Sequence, residues 1–304
     1  MEGLISDMSS EAYHSFPNTF SSSQLKDALK NIRIFHKKYI LKEYEKEENS
    51  AFDVGTFFHS SILEPDKLFD DCAVYEGIRR GKEWTAFKEA NIGKAIITKS
   101  EQVQADLMIS AVKESELAQS FLAKGVPEVS CFVKVYVYAG DIYAKGCILT
   151  NDGWERVYSG DFTLAMKNGS CLTLKVRADL LGEDFIFDLK STTGDCCDDF
   201  LVSSKISNYS YDLSAALYLD IFSIGTDKNY KDFIFCFASK DVGNTQCYVA
   251  SKDNIRIGRK KWSSAIKTIV KNMESDWVFK EKLLVIEPSY YERKWLIDSE
   301  IVEL

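Results

Sequence analysis

The stretch LKVRADLLGEDFIFDLKST, residues 174–192, decides how this chain is read. Residues 172–181 and 185–189 are rich in β-branched, leucine and aromatic side chains, as strands are, and Gly182, Glu183 and Asp184 between them have turn chemistry. Side chains alternate along a strand, so Lys175, Arg177 and Asp179 share one face of the first, and Ile186, Asp188 and Lys190 share one face of the second. If the hairpin closes at Gly182–Asp184, Asp179 and Asp188 come nearly opposite each other, with Cβ atoms about 5 Å apart. Two ionised carboxylates at that separation repel unless a cation lies between them. A hard divalent cation with oxygen ligands is the natural occupant. The Leu189 carbonyl leaves the strand between the two key side chains and is a further candidate ligand. Lys190 is within reach of an attacking water or a phosphate. The arrangement suits phosphodiester hydrolysis: the cation activates water and neutralises charge on the phosphorane-like transition state, and the lysine orients or deprotonates the water. An Asp-x-Lys on a strand is also a common solvated salt-bridge face. What raises this one above that reading is Asp179 on the paired strand.

Outward from the hairpin, strands are expected at Ser130–Ala139, Asp232–Ala238 and Gln246–Ala250. Helices are expected at 19–46, 51–63 (stopped by Pro65), 82–91, 100–124, about 208–222 and 253–274. Residues 151–170 are polar and contain glycine, and are read as a hairpin or loop insertion. Helices come first, then a mostly meandering sheet with a helix laid on it. This is an α/β (α+β) fold, a mixed sheet flanked by helices with a helical N-terminal layer. With only four prolines and no linker or repeat, the chain reads as one domain over 1–304. The N-terminal layer is expected at about 10–125, the core at about 126–275 and a tail at 276–304.

Composition is that of a globular chain: 304 residues, 45% hydrophobic and 28% charged. No apolar run is long enough to span a membrane, and Met1–Ser10 lacks the layout of a secretion signal, so the chain is expected to stay inside the cell. The eight cysteines form no CxxC pair, which speaks against a zinc ribbon or thioredoxin-like site; they are expected to be reduced, buried small hydrophobes. A net charge of −8 argues against a protein that coats nucleic acid non-specifically. Local basic clusters still decide where phosphate binds.

Asp179 followed by Asp188-Leu-Lys190-Ser191-Thr192 resembles the core of the PD-(D/E)xK nucleases, and the order is similar to the RecE and RecB types. Gly55-Thr-Phe-Phe-His59 with Leu63-Glu64-Pro65 resembles the "G…H…L.EP" segment of RecE-like proteins. Arg79-Arg80-Gly81-Lys82 with Trp84 resembles the "R.GK.W" stretch, and Pro127-Glu128-Val129-Ser130 the lead-in to the first core strand. Tyr13 and His14, with the serines up to Leu25, resemble the N-terminal "YH…S.S.L" run. The likeness spans roughly residues 10–275. It implies a restriction-endonuclease-like core with Asp179 and Asp188 on magnesium, or manganese in its place, and His59, Glu128 and the Leu189 carbonyl completing the site. Lys190 would be catalytic, and Arg79, Arg80, Lys82 and Tyr211 would contact DNA. It further implies a 5′-to-3′ exonuclease on linear duplex ends that makes 3′ tails for strand annealing. With this go a ring-like homo-oligomer, a single-strand annealing partner, and a cytoplasmic, phage- or prophage-encoded setting. Taken alone, His59 reads first as a core histidine satisfied by a carbonyl, and the Arg79 run as a solvated face. One departure stands out. Where these families carry "Y..QAA.Y", this chain has Tyr211-Asp-Leu-Ser214-Ala-Ala-Leu-Tyr218, with Ser214 in place of the glutamine. A single-strand or flap nuclease and a silent DNA-binding protein of the same fold remain the alternatives.

Overall fold

The computed structural model describes residues 2–6, 8–43, 50–279, 285–288 and 292–293. The N-terminal part contains β1 (Gly3–Ile5), α1 (Ser10–Ser15), β2 (Thr19–Phe20), α2 (Ser22–Lys30), α3 (Ile32–Phe35), α4 (Ser50–Leu63) and α5 (Leu68–Asp71). It continues through β3 (Cys72–Tyr75), α6 (Gly81–Ala90), β4 (Ala95–Thr98), α7 (Lys99–Glu114) and α8 (Glu116–Leu122). The core follows as β5 (Val126–Tyr138), β6 (Asp141–Ala144), β7 (Cys147–Thr150), β8 (Gly153–Arg156), α9 (Ser159–Asn168), β9 (Ser170–Leu181) and β10 (Phe185–Thr192). It closes with α10 (Asp199–Asn208), α11 (Tyr211–Thr226), β11 (Asp232–Ser239), β12 (Thr245–Val249) and α12 (Lys252–Glu274).

The main sheet runs β12-β11-β10-β9-β5-β6-β7-β8, with β1 added on β5 and β2 on β9. The layers follow from the two faces of its central strands. On one face Cys131, Val133, Leu174, Val176 and Ile186 form a continuous apolar surface, covered by α2, α11 and α12. On the other, Phe187, Leu189, Ile234 and Cys236 pack under Val54, Phe57 and Phe58 of α4 and Met108 and Val112 of α7. The expected α/β class, with a mixed sheet between helices, is what the chain forms.

Several expected elements differ. The sheet is not a simple meander: β10 and β11 pair in parallel, and the connection between them runs through α10 and α11, of which α10 has no counterpart among the expected helices. The helix expected over 19–46 begins as a strand, Thr19–Phe20, paired in parallel with β9. It is then interrupted at Asn31, whose side chain accepts from the N–H of Arg33 and Ile34 and starts α3; residues 44–46 lie outside the described residues, as does most of the 276–304 tail. The helix expected over 100–124 breaks at Ser115, whose hydroxyl caps α8 through the Ala118 N–H. Residues 151–170 hold the β8 arm and the helix α9 rather than a loop; Ala165 is the one residue of α9 that is buried, so no apolar stripe announces it. All eight cysteines are free thiols; Cys171 and Cys197 are exposed, against the expectation of burial.

Candidate active site

The β9–β10 ladder pairs Leu181 with Ile186 and Leu180 with Phe187, then stops. One step further the same register sets Asp179 against Asp188. The β5–β9 ladder also skips that level: Pro127 pairs with Leu180 and Val129 with Ala178. Between them Glu128 takes φ 55°, a left-handed conformation that costs a non-glycine residue about 1 kcal/mol or more. Glu128, Asp179 and Asp188 therefore stand at one level across three neighbouring strands, where regular pairing is interrupted. Asp179 makes good part of the loss. Its Oδ2 accepts the Leu189 N–H at 2.8 Å, satisfying a backbone donor that burial would otherwise penalise.

The helix α4 crosses above this break. Gly55 faces β10, and a Cβ there would make an ordinary contact with Ser191 Oγ at 3.8 Å. With Phe57 and Phe58 buried beneath, His59 is turned to the carboxylates, its Nδ1 3.4 Å from Asp179 Oδ2. Burial, then the Lys190 ammonium, depress the imidazole to about 4, so it is neutral and able to act as a ligand near neutral pH. Lys190 Nζ lies 2.5 Å from Asp188 Oδ2 and 3.2 Å from the Leu189 carbonyl. Burial works to lower the Lys190 pKa, but Asp188 and Asp179 more than offset it and raise it. The carboxyls of Asp179 and Asp188 are both raised, first by burial and with Lys190 pulling the other way. Glu128 is pushed up to about 7 by burial and by Asp179, while Arg177 Nε sits 2.6 Å from its Oε2.

The structure thus brings His59, Glu128, Asp179, Asp188, Leu189 and Lys190 to one place. Among the described residues no three His, Cys, Asp or Glu side chains are closed into a ready metal cage. The donor chemistry nevertheless fits a hard cation. Asp188 Oδ2 is buried and, despite its contact with Lys190, makes no well-aligned hydrogen bond, and carboxyls whose charge is opposed by burial gain from a divalent partner. Asp179, Asp188 and the Leu189 carbonyl, with His59, are the groups that would hold it.

On the sheet face covered by α11, the Tyr211 ring lies 5.3 Å from Lys190 Nζ. Ser214, one turn on, is buried. The Tyr218 phenol, raised well above its ordinary value by burial and then by Tyr13, Asp188 and Asp179, belongs to the same surroundings. Arg79 does not join them. The Arg79 guanidinium is committed to Glu101, at 3.0 and 2.7 Å, and to the Ile96 carbonyl at 2.7 Å, so it braces β4 and α7 instead of standing free for phosphate. Arg80 and Lys82 are exposed where α6 begins. Sequence reasoning missed Lys26 of α2. Its Nζ is 5.1 Å from the Tyr211 ring, and burial followed by repulsion from Lys190 lowers it to about 8. Nothing near Leu25 in the sequence marks it; only the packing of α2 beside α11 brings it there. The role of Arg177 in holding Glu128 was likewise unseen, although its alternation with Asp179 was the available signal.

Residues 147–277 match a family model described as a PDDEXK-like domain of unknown function. This region is a PDDEXK-like domain. The match takes in Asp179, Asp188 and Lys190, while His59 and Glu128 come from chain before it. A search of solved structures finds a protein of Eubacterium rectale provisionally described as an exonuclease: TM-score 0.57, 12% identity, 94% of this chain and 97% of that one. That likeness is one of fold, and it extends over the helical N-terminal layer as well as the PDDEXK-like core. SSO0001, at TM-score 0.32 and 12% identity over 81% of this chain and 75% of its own, is more distant. Among curated proteins no sequence matches.

Proposed function

We propose that the chain is a divalent-metal-dependent deoxyribonuclease, acting as a 5′-to-3′ exonuclease on linear duplex DNA and leaving 3′ single strands for recombination by annealing. The observation that carries this is the meeting of Asp179, Asp188 and Lys190 with His59 and Glu128 at one break in the sheet. The bound cation, magnesium or manganese, would polarise the attacking water and offset charge on the phosphate. Asp179 and Asp188 hold the carboxylate side of the site, and Arg177 fixes Glu128. Lys190 adds positive charge at the phosphate and orients the water. Tyr211 flanks Lys190 and is the contact for the substrate strand. The exonuclease specificity, the ring-like homo-oligomer and the annealing partner rest on the RecE-type order of motifs. The PDDEXK-like match and the likeness to the Eubacterium rectale protein support the nuclease reading.

Linear duplex labelled at one 5′ or one 3′ end tests the polarity, with circular single strands and flapped duplexes as competitors. Early release of the 5′ label, with the 3′-labelled strand shortened only from its far end, is expected. Cleavage of circles or flaps with intact blunt ends would replace this reading with a single-strand or flap nuclease. Tight DNA binding without cleavage of any substrate would make the chain a silent binding protein, with Ser214→Gln the first variant to try.

A further inference from the structure

The chain carries 46 acidic and 38 basic residues, yet residues 255–272 (IRIGRKKWSSAIKTIVKN) contain six basic side chains and no acidic one. All lie on α12. Three are used internally: Arg259 on Asp220, Lys261 on Asp212 and Arg256 on Asp152. The other three, Lys260, Lys267 and Lys271, are exposed, and among the described residues none of them forms an ion pair. With Ser263, Ser264 and Thr268 they recur at helical spacing on the face turned away from Trp262, Ala265, Ile266 and Ile269, which are buried. The six side chains line a shallow cleft of about 470 Å³, bounded on one side by Asn151. At 1.5 Å per residue the stripe is about 16 Å long.

Its position adds to its composition. Lys261, next in sequence to Lys260, holds Asp212 at 2.6 Å, and the neighbouring Tyr211 lies over Lys190. The helix that carries the stripe is thus tied, through Lys261, to the start of α11, where Tyr211 meets Lys190. A solvated helix face in an acidic protein normally interleaves both signs. Here acid stands only at the two ends of the helix, Asp253 and Glu274, and the positions between Lys260 and Lys271 carry hydroxyls, which donate hydrogen bonds to phosphate without reading sequence.

We propose that the outer face of α12 is a second DNA contact, a sequence-independent track for the sugar-phosphate backbone outside the cleavage site. Lys260, Lys267 and Lys271 neutralise phosphates, and Ser263, Ser264 and Thr268 hydrogen-bond to them. This deepens the nuclease reading and rests on it. The track would hold the substrate between successive cleavages while the carboxylate site does the chemistry.

The test is duplex binding in EDTA between about 50 and 200 mM salt, the range in which phosphate contacts weigh most, for the wild type and for Lys260→Gln/Lys267→Gln/Lys271→Gln. Each neutralised phosphate contributes roughly 0.9 to the slope of log affinity against log salt. The triple variant is expected to lose about 2–3 from that slope and at least about tenfold in affinity at low salt. Lys→Arg at the same positions should keep both. Metal-dependent cleavage of a short oligonucleotide, bound at the carboxylate site alone, should stay at the wild-type rate, which also reports that the variant is folded. An unchanged slope in a variant that still cleaves would overturn the track and leave the nuclease reading standing. A wild type that neither binds nor cleaves DNA would remove both. Loss of binding to phosphatidylserine-containing vesicles, with DNA binding intact, would overturn the track in favour of an anionic membrane surface.

Discussion

At the scale of single residues, the site sets titrating groups against one another. His59 is depressed to about 4 from an ordinary 6.5. In metal-free protein it therefore contributes stability that is present above about pH 6.5 and lost as pH falls through about 4. Glu128 is raised to about 7 from an ordinary 4.5. Its contribution has the opposite sign, present below about pH 4.5 and lost as pH rises through about 7. In EDTA, His59→Gln should leave the Glu128 slope exposed, so that variant loses stability relative to the wild type's trend as pH rises from 4.5 to 7. Glu128→Gln should do the reverse. Urea unfolding of both variants and the wild type at pH 5 and pH 7.5 checks this, and slopes that change in the same direction from the wild type's in the two would contradict the assigned environments. The residues legible in the sequence are those whose partners are local: Asp179, Asp188 and Lys190 declare themselves through strand alternation across a short turn. Lys26 and Arg79 are not legible, for one physical reason. Their surroundings arrive from distant chain, Tyr211 in the first case and Glu101 in the second, and no local pattern says whether a lysine or arginine meets solvent, a ring or a carboxylate.

At the scale of elements, the layer behind the site is tied by a buried polar knot. Asp220 of α11 accepts from Arg259 Nε and Nη2 at 2.9 and 2.7 Å and from Trp262 Nε1 at 3.0 Å. Its backbone carbonyl accepts from Trp154 Nε1 of β8 at 2.9 Å, and Arg259 Nη1 reaches the Asn151 carbonyl at 2.7 Å. The carboxylate thus joins α11 to α12, and the Asp220 carbonyl and Arg259 extend the knot to the arm formed by β7 and β8. Asp220→Ala strands a buried guanidinium, which is expected to cost about 3–5 kcal/mol. Denaturant unfolding measures it, and a loss under about 1 kcal/mol would mean the knot is dispensable. The helices and strands with strong apolar periodicity, α4, α12, β9, β10 and β11, are readable from sequence to within a few residues. The helices α9 and α10 are not. They are short and largely polar, with one buried residue in α9 and two in α10, so packing rather than pattern defines them. The parallel pairing of β10 with β11 is hidden as well, because it depends on the crossover through α10 and α11.

For the molecule as a whole, three carboxylates, Glu128, Asp179 and Asp188, meet at the break in the sheet beside Arg177 and Lys190, and Lys260, Lys267 and Lys271 lie on the outer face of α12. No described helix is long and apolar enough to cross a membrane. The PDDEXK-like region supplies the strand pair that carries Asp179 and Asp188 and the lysine, and the N-terminal layer delivers His59 over it. The central claim is that these parts form one metal-dependent hydrolytic site, and digestion of linear duplex DNA by EDTA-stripped protein under magnesium titration, wild type against Lys190→Ala, tests it most directly. The account predicts activity that returns with magnesium in the wild type and falls by about 10²–10⁴-fold in Lys190→Ala. Digestion that persists in EDTA, or that Lys190→Ala leaves undiminished, would contradict it.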